Sequence, residues 1–241
     1  WSSDVCSSDL LLDRVEDAAT GDILLPEFQP QIPASHVRAA DDVAAEFGDV
    51  AANEQPFAPG VTPMGDSAAE RILRRTWYPT LSYTGADGLP PTASAGNVLR
   101  PSTTLALSLR LPPSVDADVA CAALRRTLTS DVPHHALVEV EVEGANGWVS
   151  PELAPWLRTA LEEGSALAFG KPVAFAGEGG SIPFLASLGQ RFPSVQFVAT
   201  GVLGPHSNAH GIDEMLDLDC AVAVTNAMSH VIAAHAQRKD A

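Results

Sequence analysis

A run of alternating leucines constrains the fold of this 241-residue chain more than any other feature. Every second residue between 105 and 111 is leucine, and the residues between them are small or polar. A period of two is typical of a β-strand with one face against a core. Pro112-Pro113 ends the strand, and Asp116 stands where a helix N-cap is expected. The pattern predicts a strand and then a helix with apolar positions at Val119, Ala122, Ala123 and Leu124.

A second alternating stretch, residues 136–143, places three valines opposite three glutamates. One apolar and one acidic face suit an antiparallel sheet that helices cover on one side. Helical segments are predicted at residues 39–47 and 66–75, the second ending before Tyr78-Pro79. Residues 11–146 are therefore predicted to form an α+β layer domain.

The pattern changes after Gly147. Ser150-Pro151 is a typical helix start. Residues 173–176 and 195–202 are short apolar runs, typical of strands buried on both faces of a parallel sheet. A last helix is predicted from Leu218 to about Ala236. Residues 147–241 thus read as α/β, with too few elements for a complete sheet, and are predicted to be half of a domain.

Composition excludes several classes of protein. Hydrophobic residues make up 46% of the chain, enough for a core, so the chain is not wholly disordered. Fourteen Lys and Arg against 30 Asp and Glu give a net charge of −16, which disfavours binding to nucleic acid. No apolar run approaches the roughly 18 residues that a membrane-spanning helix needs. The three cysteines (Cys6, Cys121 and Cys220) are far apart, so we expect no disulfide and a cytoplasmic protein.

The first ten residues, Trp-Ser-Ser-Asp-Val-Cys-Ser-Ser-Asp-Leu, have neither the basic start nor the apolar stretch of a signal peptide. We interpret residues 1–10 as a non-native tail that forms no regular element. On this interpretation the true N-terminus is missing and the chain is a fragment.

One cluster that could carry chemistry is Glu178-Gly179-Gly180-Ser181, between a predicted strand and a predicted helix. Glycines there let the backbone approach a ligand, and a helix N-terminus offers N–H donors to an anion. The alternative, which the spacing alone favours, is a plain turn that Ser181 caps. The cluster is neither GxGxxG nor a P-loop, so it does not indicate nucleotide binding.

The other cluster lies in residues 204–216, directly after an apolar run, where α/β sheets place their ligand sites. His206 and His210 could bind a metal together, with Asp213 and Glu214 nearby in the sequence. The alternative is a polar loop with exposed histidines. The remaining histidines (His134, His135, His230 and His235) and the glutamates of residues 139–143 are predicted to be surface residues. No GxSxG motif supports a serine hydrolase.

Five motifs follow one another along the chain: Arg74-Arg-Thr-Trp-Tyr-Pro-Thr-Leu-Ser, Gly96-Asn-Val-Leu-Arg-Pro, Leu107-Ser-Leu-Arg-Leu-Pro-Pro, Gly177-Glu-Gly-Gly-Ser-Ile-Pro-Phe and Ser207-Asn-Ala-His-Gly-Ile-Asp-Glu. Their order resembles the C-terminal half of the carnosinase-like dipeptidases, which are di-zinc metallopeptidases related to carboxypeptidase G and aminoacylase. The resemblance runs from about residue 11 to the end, and the fourth and fifth motifs are the specific ones.

The resemblance implies an α/β catalytic domain that a lid domain interrupts. Residues 11–146 would be the lid, a four-stranded antiparallel sheet with helices that forms a homodimer, and residues 147–241 the second part of the catalytic domain. His210 would be a zinc ligand, in a site that holds two zinc ions when complete, with manganese as an alternative metal. Arg110 and Ser181 would contact the substrate carboxylate, and Asn97 would be a polar lid contact. The supporting residues would be Glu178, Gly179, Gly180 and Glu214.

The implied function is hydrolysis of dipeptides or short peptides by a metal-bridged water. The alternatives are an N-acyl-amino-acid deacylase of the same family and a non-catalytic dimerisation module. The family's general base and other metal ligands come from an N-terminal segment, so we expect no catalytic residue in this chain and no activity from it alone. Gly177 and Asp213 stand where the family often has Arg and Asn, and the lid His that precedes the Trp-Val-Ser stretch in some members has no counterpart among residues 143–147.

Overall fold

The computed structural model describes residues 4–49, 57–177, 183–203, 207–209 and 211–238. Its helices are α1 Asp4–Leu12, α2 Ala34–Phe47, α3 Ala68–Thr76, α4 Ala117–Thr129, α5 Pro155–Phe169, α6 Pro183–Arg191 and α7 Leu218–Ala236. Its strands are β1 Thr80–Asp87 and β2 Thr104–Arg110. The chain divides into two compact units, residues 1–149 with 176–186 and residues 150–175 with 187–241.

The first unit contains an antiparallel pair of strands, in which Thr80 lies opposite Arg110 and Asp87 opposite Thr104. The leucines of β2 are half-buried and its other residues are exposed, so the predicted alternation is confirmed. Leu81 and Leu109 pack on a core that combines α1, α4 and the segments beside them. The buried members of that core are Leu11, Val15, Ile23, Leu25, Phe28, Val115, Ala120, Ala123, Leu124 and Leu128.

Helix α4 begins as predicted, because the Asp116 carboxylate accepts a hydrogen bond of 3.0 Å from the Val119 N–H. Its buried face differs from the prediction. Val119 exposes 53% of its surface and Ala122 is also exposed, whereas Ala117, Ala120 and Leu128 are buried with Ala123 and Leu124. The large side chains Leu124 and Leu128 determine which face of α4 is buried. Ala117 and Ala120 lie on that face because residues three or four positions apart in a helix share one side.

Four strands were expected for the lid, and the described residues form a sheet of two. Residues 136–143 are not a strand, but their valines still alternate with exposed glutamates and pack on the same core. The expectation that residues 1–10 form no regular element is wrong, since α1 covers most of them and Leu11 and Leu12 are buried.

The second unit is built on the pairing of α5 with α7, whose buried contacts are Leu157, Ala160 and Val231. Gly164 makes close approach possible, since a Cβ there would lie 3.0 Å from the Ala227 carbonyl oxygen. The predicted last helix is confirmed. The predicted helix start at Ser150-Pro151 is wrong, because α5 begins at Pro155.

The two apolar runs expected to be buried strands, residues 173–176 and 195–202, form no strand among the described residues. Val195 and Val198 expose 43% and 38% of their surfaces, so burial on both faces is also wrong here. A strand exists only where a neighbour supplies hydrogen-bond partners, and no described segment pairs with either run.

Candidate active site

Helix α3 is fixed at both ends, which matters because two predicted site segments meet its C-terminus. The Ser67 hydroxyl accepts a hydrogen bond of 3.1 Å from the Glu70 N–H, and the Glu70 carboxylate accepts one of 2.8 Å from the Asp66 N–H. Ser67 therefore caps the helix, and Glu70 binds the residue before the cap. At the other end Trp77 is buried and its ring centroid lies 5.0 Å from that of His36.

Arg74 ties the helix to an earlier segment of the chain. Its guanidinium lies 2.8 Å from the Asp22 carboxylate and 3.0 Å from that of Glu70. The hydrogen bond from Arg74 holds the pKa of Asp22 below its usual value. The Asp66 N–H, and then Arg74, lower the pKa of Glu70.

Arg110 lies at the end of β2, beside the C-terminus of α3. Its guanidinium Nη1 is 3.5 Å from the Arg75 carbonyl oxygen, one of the helix-terminal carbonyls that lack a partner within the helix. The side chain is exposed and forms no ion pair with any described residue. The guanidinium therefore keeps N–H donors for an outside ligand, as a carboxylate contact requires.

Gly177 meets the same helix end. A Cβ at this position would lie 3.2 Å from both the Cβ and the Cγ2 of Thr76. Arg75 and Thr76 are consecutive, with Cα atoms about 3.8 Å apart. Arg110 and Gly177 thus contact two neighbouring residues at the C-terminus of α3. Gly177 directly precedes the Glu178–Ser181 cluster in the sequence.

The other predicted site residues stand differently. Asn97 is exposed and lies in the segment that joins β1 to β2, at the opposite end of the hairpin from Arg110. Glu178, Gly179, Gly180, Ser181 and His210 lie outside the described residues. Their assigned roles stay predictions.

The loop around position 210 folds on itself in the second unit. The Gly211 N–H donates to the Asn208 carbonyl at 2.9 Å, and the Met215 N–H donates to the Ser207 carbonyl at 3.0 Å. The Asn208 side-chain amide donates to the Ile212 carbonyl at 2.7 Å. Asn208 and Asp213 both adopt left-handed backbone angles, which Asn and Asp tolerate better than most residues. The described part of this loop is therefore a turn held by its own hydrogen bonds.

Two side chains of this loop differ in burial. Ser207 exposes only 4% of its surface, and its hydroxyl has no hydrogen-bond partner among the described residues. Glu214 is exposed.

The described residues alone do not fit a metal ion. Nowhere in them do three or more His, Cys, Asp or Glu side chains stand close enough together to hold one. His134, His135 and the glutamates of residues 139–143 are exposed, as predicted. His230 is half-buried and His235 is exposed, so both lie at the surface as predicted; His230 lies 3.0 Å from the Glu163 carboxylate, and the His235 ring lies 5.3 Å from that of Trp156.

No family model matches the chain. A cysteinylglycine-S-conjugate dipeptidase of Corynebacterium striatum is 28% identical to it over 155 residues, which is 63% of this chain and 33% of that protein. The fold matches Dug1p, a di-peptidase of Saccharomyces cerevisiae, with a TM-score of 0.66 and 20% identity over 99% of this chain and 50% of that one.

Two other solved structures share the fold. An M20 family metallo-carboxypeptidase, Sso-CP2 of Sulfolobus solfataricus, matches with a TM-score of 0.71 and 15% identity, over 96% of this chain and 52% of that one. Human carnosine dipeptidase 1 matches with a TM-score of 0.65 and 16% identity, over 97% of this chain and 49% of that one. Three of these similar proteins are named as dipeptidases, and the fourth, Sso-CP2, is named as an M20 family metallo-carboxypeptidase.

The resemblance drawn from the motifs is therefore confirmed, and dipeptidases are hydrolases. The chain spans about half the length of the solved structures it matches and a third of the Corynebacterium dipeptidase. Within the described residues, no helix combines the length and the apolar character needed to cross a membrane.

Sequence reasoning missed three residues that organise these segments. Arg75 and Thr76 belong to a motif that carried the resemblance to carnosinase-like dipeptidases, but nothing in the sequence places them beside residues 110 and 177. Asn208 belongs to the fifth motif, but no role was predicted for it. Its position three residues before Gly211 is the signal that could have indicated a turn.

We expect Gly211→Ala to loosen the turn around position 210. A Cβ at residue 211 would overlap the Asn208 side-chain amide, which would have to leave and lose its bond to Ile212. The Met215 N–H, which closes the loop onto Ser207, should then exchange with solvent about tenfold faster, the effect of roughly 1.4 kcal/mol. Amide hydrogen exchange measures this.

Gly201→Ala is the control, because a Cβ there meets nothing within 4 Å. In an Asn208→Ala background the Gly211 substitution should add nothing, since the overlapping amide is gone. Equal effects of Gly211→Ala in both backgrounds would contradict the packing of Asn208 over Gly211.

Proposed function

We propose that this chain is the lid and the second part of the catalytic domain of a metal-dependent dipeptidase. The observation that carries the proposal is the meeting of Arg110 and Gly177 at the end of α3. The resemblance assigns Arg110 and Ser181 to the substrate carboxylate, and the contact of Gly177, four residues before Ser181, with the helix end that Arg110 also meets supports this assignment. A dipeptide has a free carboxylate close to its scissile bond, so such a pocket selects short substrates.

In this proposal Arg110 binds the substrate carboxylate with two parallel hydrogen bonds, the geometry that a planar guanidinium favours. Ser181, at the start of the fourth motif, supplies a further donor, and Asn97 contributes a lid contact. Glu178, Gly179, Gly180 and Glu214 support these groups. His210 is the chain's ligand to a zinc site of two ions.

The domain organisation is part of the proposal. Residues 11–146 form the lid and residues 147–241 complete the catalytic domain, while residues 1–10 are not native. The lid is proposed to contain a four-stranded sheet; the described residues pair two of these strands, and the valines of residues 136–143 pack on the same core as Leu81 and Leu109 without forming a strand. The lid pairs two copies of the protein, which works in the cytoplasm.

The experiment compares residues 11–241 alone with the full-length protein, meaning the protein that also carries the proposed N-terminal segment with the other metal ligands. We expect the full-length protein to hydrolyse dipeptides, to lose activity when a chelator removes its metal, and to recover with zinc or manganese. Residues 11–241 should bind zinc weakly and show no hydrolysis, since they carry a single proposed ligand. Zinc binding by calorimetry and release of free amino acids measure both.

Robust turnover by residues 11–241 would contradict the incomplete site. Turnover of N-acyl amino acids by the full-length protein without turnover of dipeptides would show a deacylase instead.

A further inference from the structure

The connection between β1 and β2, residues 88–103, has an unusual distribution of buried side chains. Its apolar residues Val98 and Leu99 expose 66% and 69% of their surfaces. Only two residues of the connection are half-buried, Arg100 and Thr103, and both are polar. Burial of apolar side chains therefore contributes little to holding the connection in place.

Each of the two half-buried residues contains an atom without a hydrogen-bond partner. The Arg100 Nε and the Thr103 hydroxyl are shielded from water, and neither has a partner in the part of the chain that the structure describes. Buried polar atoms are nearly always paired, because a donor that leaves water without finding an acceptor raises the free energy of the folded form. The described arrangement of the connection is therefore destabilised by two unpaired groups.

Arg100 also lacks a counterion in a strongly acidic chain. Acidic residues outnumber Lys and Arg by 30 to 14. No described carboxylate nevertheless forms an ion pair with Arg100. Because a guanidinium is always charged, the partner that Arg100 lacks is an anion.

The two ends of the connection meet at Gly88 and Thr103. Gly88 has a left-handed backbone, and a Cβ there would overlap the Ser102 carbonyl oxygen and lie 3.2 Å from the Thr103 Cα. Asp87 and Thr104, the adjoining strand residues, are paired across the sheet. The connection is thus anchored at the ends of both strands, and its interior can rearrange while the strands stay paired.

We propose that residues 88–103 form a strap that opens to bind an oxyanion through Arg100 and Thr103. The described arrangement is the closed form. In the open form the Nε–H and one Nη–H of Arg100 donate in parallel to two oxygens of a carboxylate or a phosphate, and the Thr103 hydroxyl donates to the same ligand. Because both donors are shielded in the closed form, the anion binds the open form and shifts the population towards it.

This site is separate from the carboxylate contact proposed for Arg110. The seven residues of β2 span about 20 Å from Thr104 to Arg110, and Thr103 directly precedes them. A dipeptide extends at most about 7 Å, so one held at Arg110 does not reach Thr103. The inference therefore goes beyond the proposed function and does not depend on it.

Opening of the strap is tested by NMR spectroscopy of the Arg100 Nε–H in the 241-residue chain, since its exchange with water requires the open form. Thr103→Val keeps the shape of the side chain and removes the unpaired hydroxyl, so it should favour the closed form. The exchange should slow about tenfold, equivalent to roughly 1.4 kcal/mol. Thr104→Val is the matched control, because the Thr104 side chain is exposed, and it should change the exchange less than about twofold.

The ligand class is tested by titration with sodium phosphate and with sodium acetate, with sodium chloride keeping the ionic strength constant. Saturable change of the Arg100 Nε–H signal by acetate identifies a site for carboxylates, and saturation by phosphate alone identifies a site for phosphates. Thr103→Val should bind the anion about tenfold more weakly, since it lacks one donor and favours the closed form. Arg100→Met keeps an unbranched side chain without the guanidinium, and should abolish the anion-dependent shift of the Thr103 backbone amide.

An unchanged exchange rate in Thr103→Val would overturn the strap, because the closed form would then bury no unpaired hydroxyl. A response to both anions that never saturates, or one that persists in Arg100→Met, would overturn the site, because general screening of charge explains such a response.

Discussion

His210→Ala in the full-length protein is expected to lower the zinc content by about one equivalent and the activity by more than about 100-fold. Replacing partners of metal ligands already costs roughly 10- to 100-fold in metal affinity or activity, so loss of a ligand should cost more. His210 is chosen because it occupies the histidine position of the fifth motif, AHG-x-(N/D)-E, in the order that identifies the family. Elemental analysis of the purified variant measures the metal directly.

His206→Ala is the matched control, because it removes another histidine of the same loop that lies outside the motif. It should keep most of the zinc and most of the activity. A zinc content that is unchanged in His210→Ala would overturn the assignment of the ligand, whatever happened to the activity.

Local patterns in the sequence predicted the elements that a short segment determines by itself. The alternating leucines form β2 and present the expected face to the core. Asp116 and the final helix also behave as predicted, since a cap or a helical period depends on residues within one or two turns.

Other elements were predicted wrongly because two possible helix starts compete or because a strand needs a pairing segment from elsewhere in the chain. A helix begun at Pro151 would carry Pro155 in its interior, where proline lacks the N–H and clashes with the carbonyl four residues earlier. Pro155 therefore becomes the first helical residue, and the Ala154 N–H donates to the Gln196 side chain at 2.6 Å. The apolar run of residues 195–202 has the composition of a strand, but composition does not supply a pairing partner, and no described segment pairs with it.

The candidate site shows the same division. Motif order indicated which residue types would bind a carboxylate, and Arg110 does lie on the exposed face of its strand. Residues 110 and 177 do not contact each other in the contacts described above; each contacts the C-terminus of α3, and no local sequence pattern predicts these two contacts. The register of β1 and β2 explains the contact of Arg110 with the helix. Thr80 lies four residues after the end of α3 and pairs with Arg110, so Arg110 lies close to the C-terminus of α3.

Arg110→Lys should lower kcat/KM for free dipeptides by roughly 10- to 150-fold in the full-length protein. Lysine keeps the charge but cannot form two parallel hydrogen bonds to a carboxylate. Losing one charge-assisted hydrogen bond costs about 1.5–3 kcal/mol, which corresponds to that range. C-terminally amidated dipeptides should lose much less, because the charge that Arg110 pairs with is already absent.

The competing explanation is that Arg110 has only a structural role on an acidic surface. Its hydrogen bond to the Arg75 carbonyl is long, at 3.5 Å, and no described carboxylate pairs with it, so little stability depends on it. Arg125→Lys is the matched control, because Arg125 is another exposed arginine that donates to a backbone carbonyl, that of Val140, at 2.8 Å. That variant should treat free and amidated substrates alike. Equal losses on both substrates for Arg110→Lys would assign it the same structural role, since a side chain that only supports the hairpin does not distinguish the ends of a substrate.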